Sequence, residues 1–284
     1  MMEMAGYLQN KLNKLNTFFS MLFPDITQEE RSLLEEDIIK TYALKGITFD
    51  DESLFYEDKS TRLISSKRFK KETDMPTLEE LYKVVAKDKK LKRIAVLLKP
   101  YVNGSLSFMN GHTNIKLGNS LVVADVFGIE ENIIPIAMFV ITEFFWDKIK
   151  ESRSERKIIY LDEAWRLIGN NAESANFVYK MFKTIRKYGG AVTAITQDIN
   201  DFFTLQEGKF GKGILNNSSV KTIFQLEEND LKLLKENLNL SEEEILKIPN
   251  SRRGQCLICA GTNHVEVKVV SSEKEHECVT TEWW

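Results

Sequence analysis

Three cysteines and three histidines are few for a chain of 284 residues, and each shortage closes off a class of protein. An odd cysteine count builds no disulfide framework, which makes a reducing cytoplasm the natural compartment. Cys256 and Cys259 are spaced like a metal or redox pair but fall in a strand-like run, where side chains three apart face opposite ways. They read as small buried hydrophobes. His112, His264 and His276 have no partners at ligand spacing. Charge of one sign is also lacking. Thirty-nine Lys and Arg against 42 Asp and Glu leave a formal charge of −3, with no global pull toward nucleic acid or anionic lipid. The longest apolar run, Ile133 to Trp146, is short for a bilayer span and contains Glu143. The stretch from Met1 to Lys14 is too polar and too mixed in charge for a signal peptide, so no transmembrane or targeting segment is expected. Internal repeats and low-complexity segments are missing too. What is left is an ordinary globular composition, 43% hydrophobic and 29% charged, able to bury one large α/β domain or two unequal ones.

The first third reads as helical. Leu12, Leu15, Phe18, Phe19 and Leu22 recur at helical spacing, and Pro24 stops that run. Thr27 precedes Glu30 by three, a capping box that opens a second helix through Leu33, Leu34, Ile38 and Ile39, which Gly46 closes. Residues 50–73 are polar and weakly periodic, which predicts a long surface loop. Pro76 to Glu80 opens another helix, and Leu91 to Val102 predicts one more. This third is locally basic at Lys67-Arg68, Lys70-Lys71 and Lys87 to Arg93. Such runs are ordinarily a solvated helix face; contact with nucleic acid or an acidic partner is possible but not indicated.

After Asn110-Gly111-His112 the texture changes to short β-branched runs alternating with helices. Leu121 to Val126, Ile158 to Leu161, Ala191 to Thr196 and Val220 to Leu226 read as strands. Ile133 to Ile149 and Ala172 to Tyr188 read as helices, and Gln255 to Ala260 with His264 to Val270 as a closing hairpin. Near-continuous apolar strands alternating with helices imply a parallel sheet covered on both faces.

Two strand ends carry the chemistry. Lys157-Ile158-Ile159-Tyr160-Leu161 runs into Asp162-Glu163-Ala164-Trp165, an apolar strand ending in adjacent carboxylates at the sheet edge where ligands of open α/β folds collect. This is the Walker B pattern, in which one carboxylate, Asp162, joins the Mg²⁺ shell and the next, Glu163, positions and deprotonates an attacking water. The competing reading is a strand that turns into a solvated acidic loop. One helix later, Ala191 to Ile195 leads to Thr196-Gln197-Asp198. A glutamine there can touch a γ-phosphate or its water and report hydrolysis, where the plainer role is a loop-capping amide.

These runs, taken together, resemble the large ATPase of type IV secretion systems, the conjugative-transfer family that includes the TraC and TrbE proteins. The resemblance rests on Asp25 to Leu34, Met75 to Leu78, Leu98-Lys99-Pro100-Tyr101 with Gly104-Ser105-Leu106, Phe108 to Thr113, Pro135 to Phe139 and Asp162 to Trp165. It continues through Glu173 to Phe177, Arg186 to Gly190, Thr196 to Asp198, Arg252-Arg253-Gly254 and Glu273-Lys274-Glu275. It implies ATP and Mg²⁺ as cofactors, other subunits of a secretion or conjugation machine as partners, and a homo-oligomer. It also implies a place at the cytoplasmic face of the inner membrane.

One departure matters. The phosphate-wrapping loop G-x-x-x-x-G-K-[ST] does not occur; the nearest run, Gly208-Lys209-Phe210-Gly211-Lys212-Gly213, has the wrong spacing and no hydroxyl residue after Lys212. In the family that loop precedes the helical segment, so this chain is expected to correspond to a C-terminal part that does not hydrolyse ATP by itself. In ring motors arginines of one subunit reach a neighbour's phosphates, which makes Arg186, Arg252 and Arg253 candidates against the plain reading of solvated cations. The expected architecture is a RecA-like α/β P-loop NTPase core over 110–272, a helical insertion over 1–109 and a tail over 273–284. Two rival readings are a non-catalytic module docking on an intact ATPase or channel, and a DNA-pumping relative of the HerA or FtsK type.

Overall fold

The computed structural model describes residues 6–58, 66–113, 119–169, 171–197, 199–203 and 206–279. Asp198 and the terminal Trp283-Trp284 pair lie outside them. The chain divides into two compact units, Met1–Phe127 and Gly128–Trp284.

The first unit is mainly helical. α1 spans Tyr7–Leu22 and α2 Gln28–Leu44. The capping box at the start of α2 forms as its spacing predicts: Glu30 N–H donates to the Thr27 hydroxyl and Thr27 N–H to the Glu30 carboxylate. Thr77 and Glu80 repeat the device ahead of α3, Leu78–Val85, and α4 follows at Lys92–Asn103. Leu12, Phe19, Ile38, Leu81, Val85, Ile94 and Leu98 bury the faces of these four helices. Arg93 of α4 forks onto Glu30 at the start of α2, at 2.8 and 2.6 Å.

The loop expected over 50–73 is instead a small hairpin. β1, Phe55–Asp58, pairs antiparallel with β2, Ser66–Phe69, and the rings of Phe55 and Phe69 meet edge to face at 5.4 Å. A cross-strand aromatic contact stabilises strands too short to show a period of two. The hairpin delivers the buried Lys70, whose Nζ donates to the carbonyls of Lys45 and Gly46 just past α2, at 2.8 Å each. The strand expected at Leu121 to Val126 is not one. The segment joins no ladder, and Leu121 and Val123 are each 78% exposed. By compactness it falls with the first unit, Met1–Phe127. β-branched residues favour extended backbone, but a strand needs a partner.

In the second unit α5, Ile134–Glu151, starts with Pro135 in its first turn. β3 is Lys157–Leu161, followed by the short α6, Trp165–Ile168, and α7, Ala172–Thr184. A 3-10 turn over Ile185–Tyr188 extends α7 to Gly189, whose φ of +72° ends the helix as only glycine readily does. β4, Gly190–Ala194, then lies parallel to β3, in register from Lys157 opposite Gly190 to Leu161 opposite Ala194. Phe177 and Tyr188 meet Phe139 and Trp146 of α5 edge to face, so the crossover and α5 share one packed layer.

α8, Lys209–Asn217, leads to β5, Val220–Ile223, then α9, Glu228–Asn237, and α10, Glu242–Lys247. β6, Gln255–Ala260, and β7, Asn263–Lys268, form the expected hairpin, and α11 covers Glu273–Val279. β5 pairs antiparallel with β6, so the strands divide into a parallel pair and a separate antiparallel sheet of three. Ile223 and Leu257 sit opposite each other in that sheet and share a buried cluster with Leu234, Ile248 and Cys259, which decides the pairing of β5. Within the β3–β4 pair the two faces differ in burial. Ile159 and Leu161 are buried, while Ile158 is 56% and Tyr160 67% exposed on the other face. Among the described residues no helix is long and apolar enough to cross a membrane.

Candidate active site

The site begins where β3 ends. Beyond Leu161 the parallel ladder gains two more rungs: Ile195 N–H donates to Leu161 O at 2.8 Å, and Ala164 N–H donates to Ile195 O at 3.0 Å. Those rungs fold the turn of residues 162–164 across the end of β4. Glu163 takes a left-handed backbone, φ +49°, a conformation that costs a non-glycine residue and collects at functional sites. Its N–H donates to the Asp162 carboxylate at 3.1 Å.

The fold thereby brings Glu163 to Gln197, two residues past Ile195. Gln197 Nε2 donates to Glu163 Oε1 at 2.8 Å. The other oxygen, Oε2, accepts the indole N–H of Trp165, the first residue of α6. The guanidinium of Arg166 lies 4.9 Å from the centre of the Trp165 ring and pairs with Glu131, in the turn that opens α5, at 2.5 Å. That hydrogen bond holds the Glu131 carboxyl below the ordinary carboxylate range. Asp162 and Gln197 are exposed and Glu163 half-buried.

Of the six residues singled out in the sequence, the structure assembles three at one sheet edge: Asp162, Glu163 and Gln197. Arg186 is exposed in the turn before Gly189, at the opposite end of β4 from Gln197. Arg252 and Arg253 are exposed ahead of β6, in the other sheet, with Arg252 N–H held by the Gln255 side chain at 2.7 Å. Trp165, Arg166 and Glu131 were not singled out. Trp165 carried a faint signal, a donor-only side chain two residues after the acid. The Arg166–Glu131 pair spans 35 positions and carried none.

The glycine-rich run at 208–213 serves packing. Gly208 caps α8 with a φ of +77°, and a Cβ at Gly213 would lie 2.5 Å from the Tyr179 ring of α7. As for metal, Mg²⁺ is usually held by one or two carboxylates, with waters and phosphates completing its shell. The exposed carboxylate of Asp162 suits such an ion. Among the described residues no three Asp, Glu, His or Cys side chains converge to hold a metal unaided.

A parallel strand pair joined by a helical crossover, with a carboxylate and an amide meeting at one edge, is an arrangement that open α/β folds, RecA-like ones among them, share. The chain belongs to the TraG P-loop domain family, whose model matches residues 66–282. The protein TraC of Escherichia coli (strain K12) is 27% identical over 143 residues, covering 48% of this chain and 16% of TraC. The structure of VirB4 of Thermoanaerobacter pseudethanolicus superposes with a TM-score of 0.84 at 27% identity, over 98% of this chain and 73% of that one. The chain is thus a RecA-like P-loop protein of the VirB4/TraC type, the group of type IV secretion and conjugation ATPases. P-loop NTPases as a class bind ATP together with Mg²⁺.

Proposed function

We propose that this chain is the water-activating part of a motor ATPase that energises transfer and channel or pilus assembly in type IV secretion and conjugation. The observation that carries the reading is the Gln197–Glu163 hydrogen bond, made by side chains from two parallel neighbours at the same sheet edge. Asp162 provides the carboxylate for the Mg²⁺ shell, as in a Walker B strand. ATP with Mg²⁺ supplies the electrophilic phosphorus and charge neutralisation when bound. Glu163 accepts the proton of the attacking water, and Gln197 moves its amide between Glu163 and the γ-phosphate to report the state of the nucleotide. The phosphate cradle comes from a segment bearing G-x-x-x-x-G-K-[ST], and without it this chain does not hydrolyse ATP.

In this reading the parent protein is a homo-oligomer at the cytoplasmic face of the inner membrane, among the other subunits of the secretion machine. Residues 110–272 form its nucleotide core, 1–109 a helical insertion and 273–284 a tail. Arg186, Arg252 and Arg253 are exposed, as a role at a neighbouring subunit's site requires. The test supplies the loop-bearing segment in cis or in trans and follows ATP hydrolysis. Turnover is expected, and Glu163→Gln should abolish it while ATP binding persists, because the amide keeps the shape and loses the base. Normal hydrolysis by Glu163→Gln would place the base elsewhere.

A second reading is supported by the bare face of β3–β4. Parallel sheets are ordinarily covered on both faces, and exposed Ile158 and Tyr160 suit an interaction module that docks on an intact ATPase. Stable complex formation without ATP binding or turnover, after the loop is supplied, would select it.

A further inference from the structure

Glu163 is held at both ends of its carboxylate, and only one of the two holders, Gln197, has a role in the proposed chemistry. The other is Trp165. We propose that Trp165 is a positioning residue for Glu163, its indole N–H fixing the carboxylate rotamer while the Arg166–Glu131 pair fixes the indole ring.

The chemistry of the side chains favours this assignment. An indole N–H donates and cannot accept, so it binds a carboxylate oxygen without competing for the proton that oxygen would take up. Each oxygen of an ionised carboxylate offers about two lone-pair directions. One donor on each therefore orients Glu163 and still leaves acceptor capacity for a water. The backbone at Glu163 needs such support. Its left-handed conformation, φ +49°, persists only where the surroundings over-determine it. Here they do so through the Asp162 carboxylate on its own N–H, the Ala164 rung to Ile195, and the two side-chain donors.

The indole is fixed in turn. Trp165 is half-buried, opens α6 and carries the Arg166 guanidinium on its face at 4.9 Å. Arg166 reaches Glu131 through two contacts, Nη1 to Oε2 at 2.5 Å and Nη2 to Oε1 at 3.5 Å. The fork ties the acidic turn to the turn that opens α5, so the orientation of Glu163 depends on an element 32 residues earlier in the chain, by the positions of Glu131 and Glu163.

The positioning contact can be tested without any catalytic assay, so its failure is separable from failure of the ATPase reading on which its catalytic consequence rests. The ¹⁵N-labelled 284-residue chain has four tryptophans, and Trp165→Phe identifies the Trp165 indole resonance by its loss. In Glu163→Gln, which keeps the indole, that resonance should move upfield and its proton should exchange faster, because a charge-assisted bond has become a neutral one. Gln197→Ala should leave it nearly in place. An indole signal insensitive to Glu163→Gln overturns the proposal. In the enzyme assembled with its phosphate-loop segment, Trp165→Phe should lower kcat roughly 10- to 100-fold with little change in KM for ATP, the signature of a misplaced group. A Trp165→Phe enzyme with wild-type kcat overturns the proposal too. If the assembled protein has no ATPase activity at all, the ATPase reading falls, and the indole resonance alone decides the role of Trp165.

Discussion

Gly211 lies so close to Phe202 that a Cβ on it would sit 2.1 Å from the Phe202 carbonyl oxygen. The contact is backbone against helix and cannot be relieved by a rotamer change. Gly211→Ala should therefore destabilise the second unit by about 1–3 kcal/mol. Gly213→Ala should cost less, since its obstacle is the Tyr179 ring, a side chain that can turn. Urea midpoints of the two variants check the ranking, and equal midpoints would refute it.

Lys70 makes the matching case in the first unit. It is 5% exposed, donates to two carbonyls at the end of α2, and has its Nζ 5.4 Å from the Tyr56 ring centre. Cations near a helix C-terminus satisfy its last carbonyls. Lys70→Met keeps the stem and leaves those carbonyls unpaired, so a loss of about 2–3 kcal/mol in chemical denaturation is expected. Lys70→Arg should recover part of it.

The Glu30 carboxyl is pulled from 4.5 to about 2, first by the Arg93 side chain and then by the Thr27 N–H. Because the folded value lies below the unfolded one, the stabilisation is fully present above about pH 4.5 and is lost as pH falls through about 2. Arg93→Met should lower the urea midpoint at pH 6, and the gap to wild type should narrow steadily toward pH 2. A gap that does not change with pH would mean Arg93 acts through packing alone.

Thiol accessibility gives a quick check on the closing hairpin. Cys256 and Cys259 are buried and Cys278 is exposed, and burial pushes the Cys259 thiol up. The native chain should react quickly with a disulfide reagent at one thiol and reveal two more on unfolding. Three fast thiols would argue against the packing of β6.

The elements legible in the sequence were those whose signal is local. The capping box at Thr27 and Glu30, the β3–α7–β4 unit and the hairpin turn at Gly261 each announce themselves within a few residues. The nearness of Glu163 and Gln197 was legible because each lies just past the end of its strand, and neighbouring parallel strands end on one edge. The failures were pairings. Leu121 to Val126 has the composition of a strand and no partner, while Phe55 and Phe69 find each other across a gap too long for any periodic pattern. The Arg166–Glu131 fork belongs to the same class, since long-range pairing of two charges leaves no mark on the residues between them.

The backbone angle at Glu163 also bears on how this group of proteins can diverge. A residue other than glycine that keeps φ at +49° is retained against its own conformational preference, so drift toward easier residues should be steady wherever the carboxylate is not needed. Relatives that have lost the chemistry should then carry glycine or asparagine at the turn between β3 and α6, and those that keep it should retain the uncomfortable acid. The residue that occupies that dihedral, rather than the dihedral itself, is then expected to mark the relatives that keep the carboxylate chemistry.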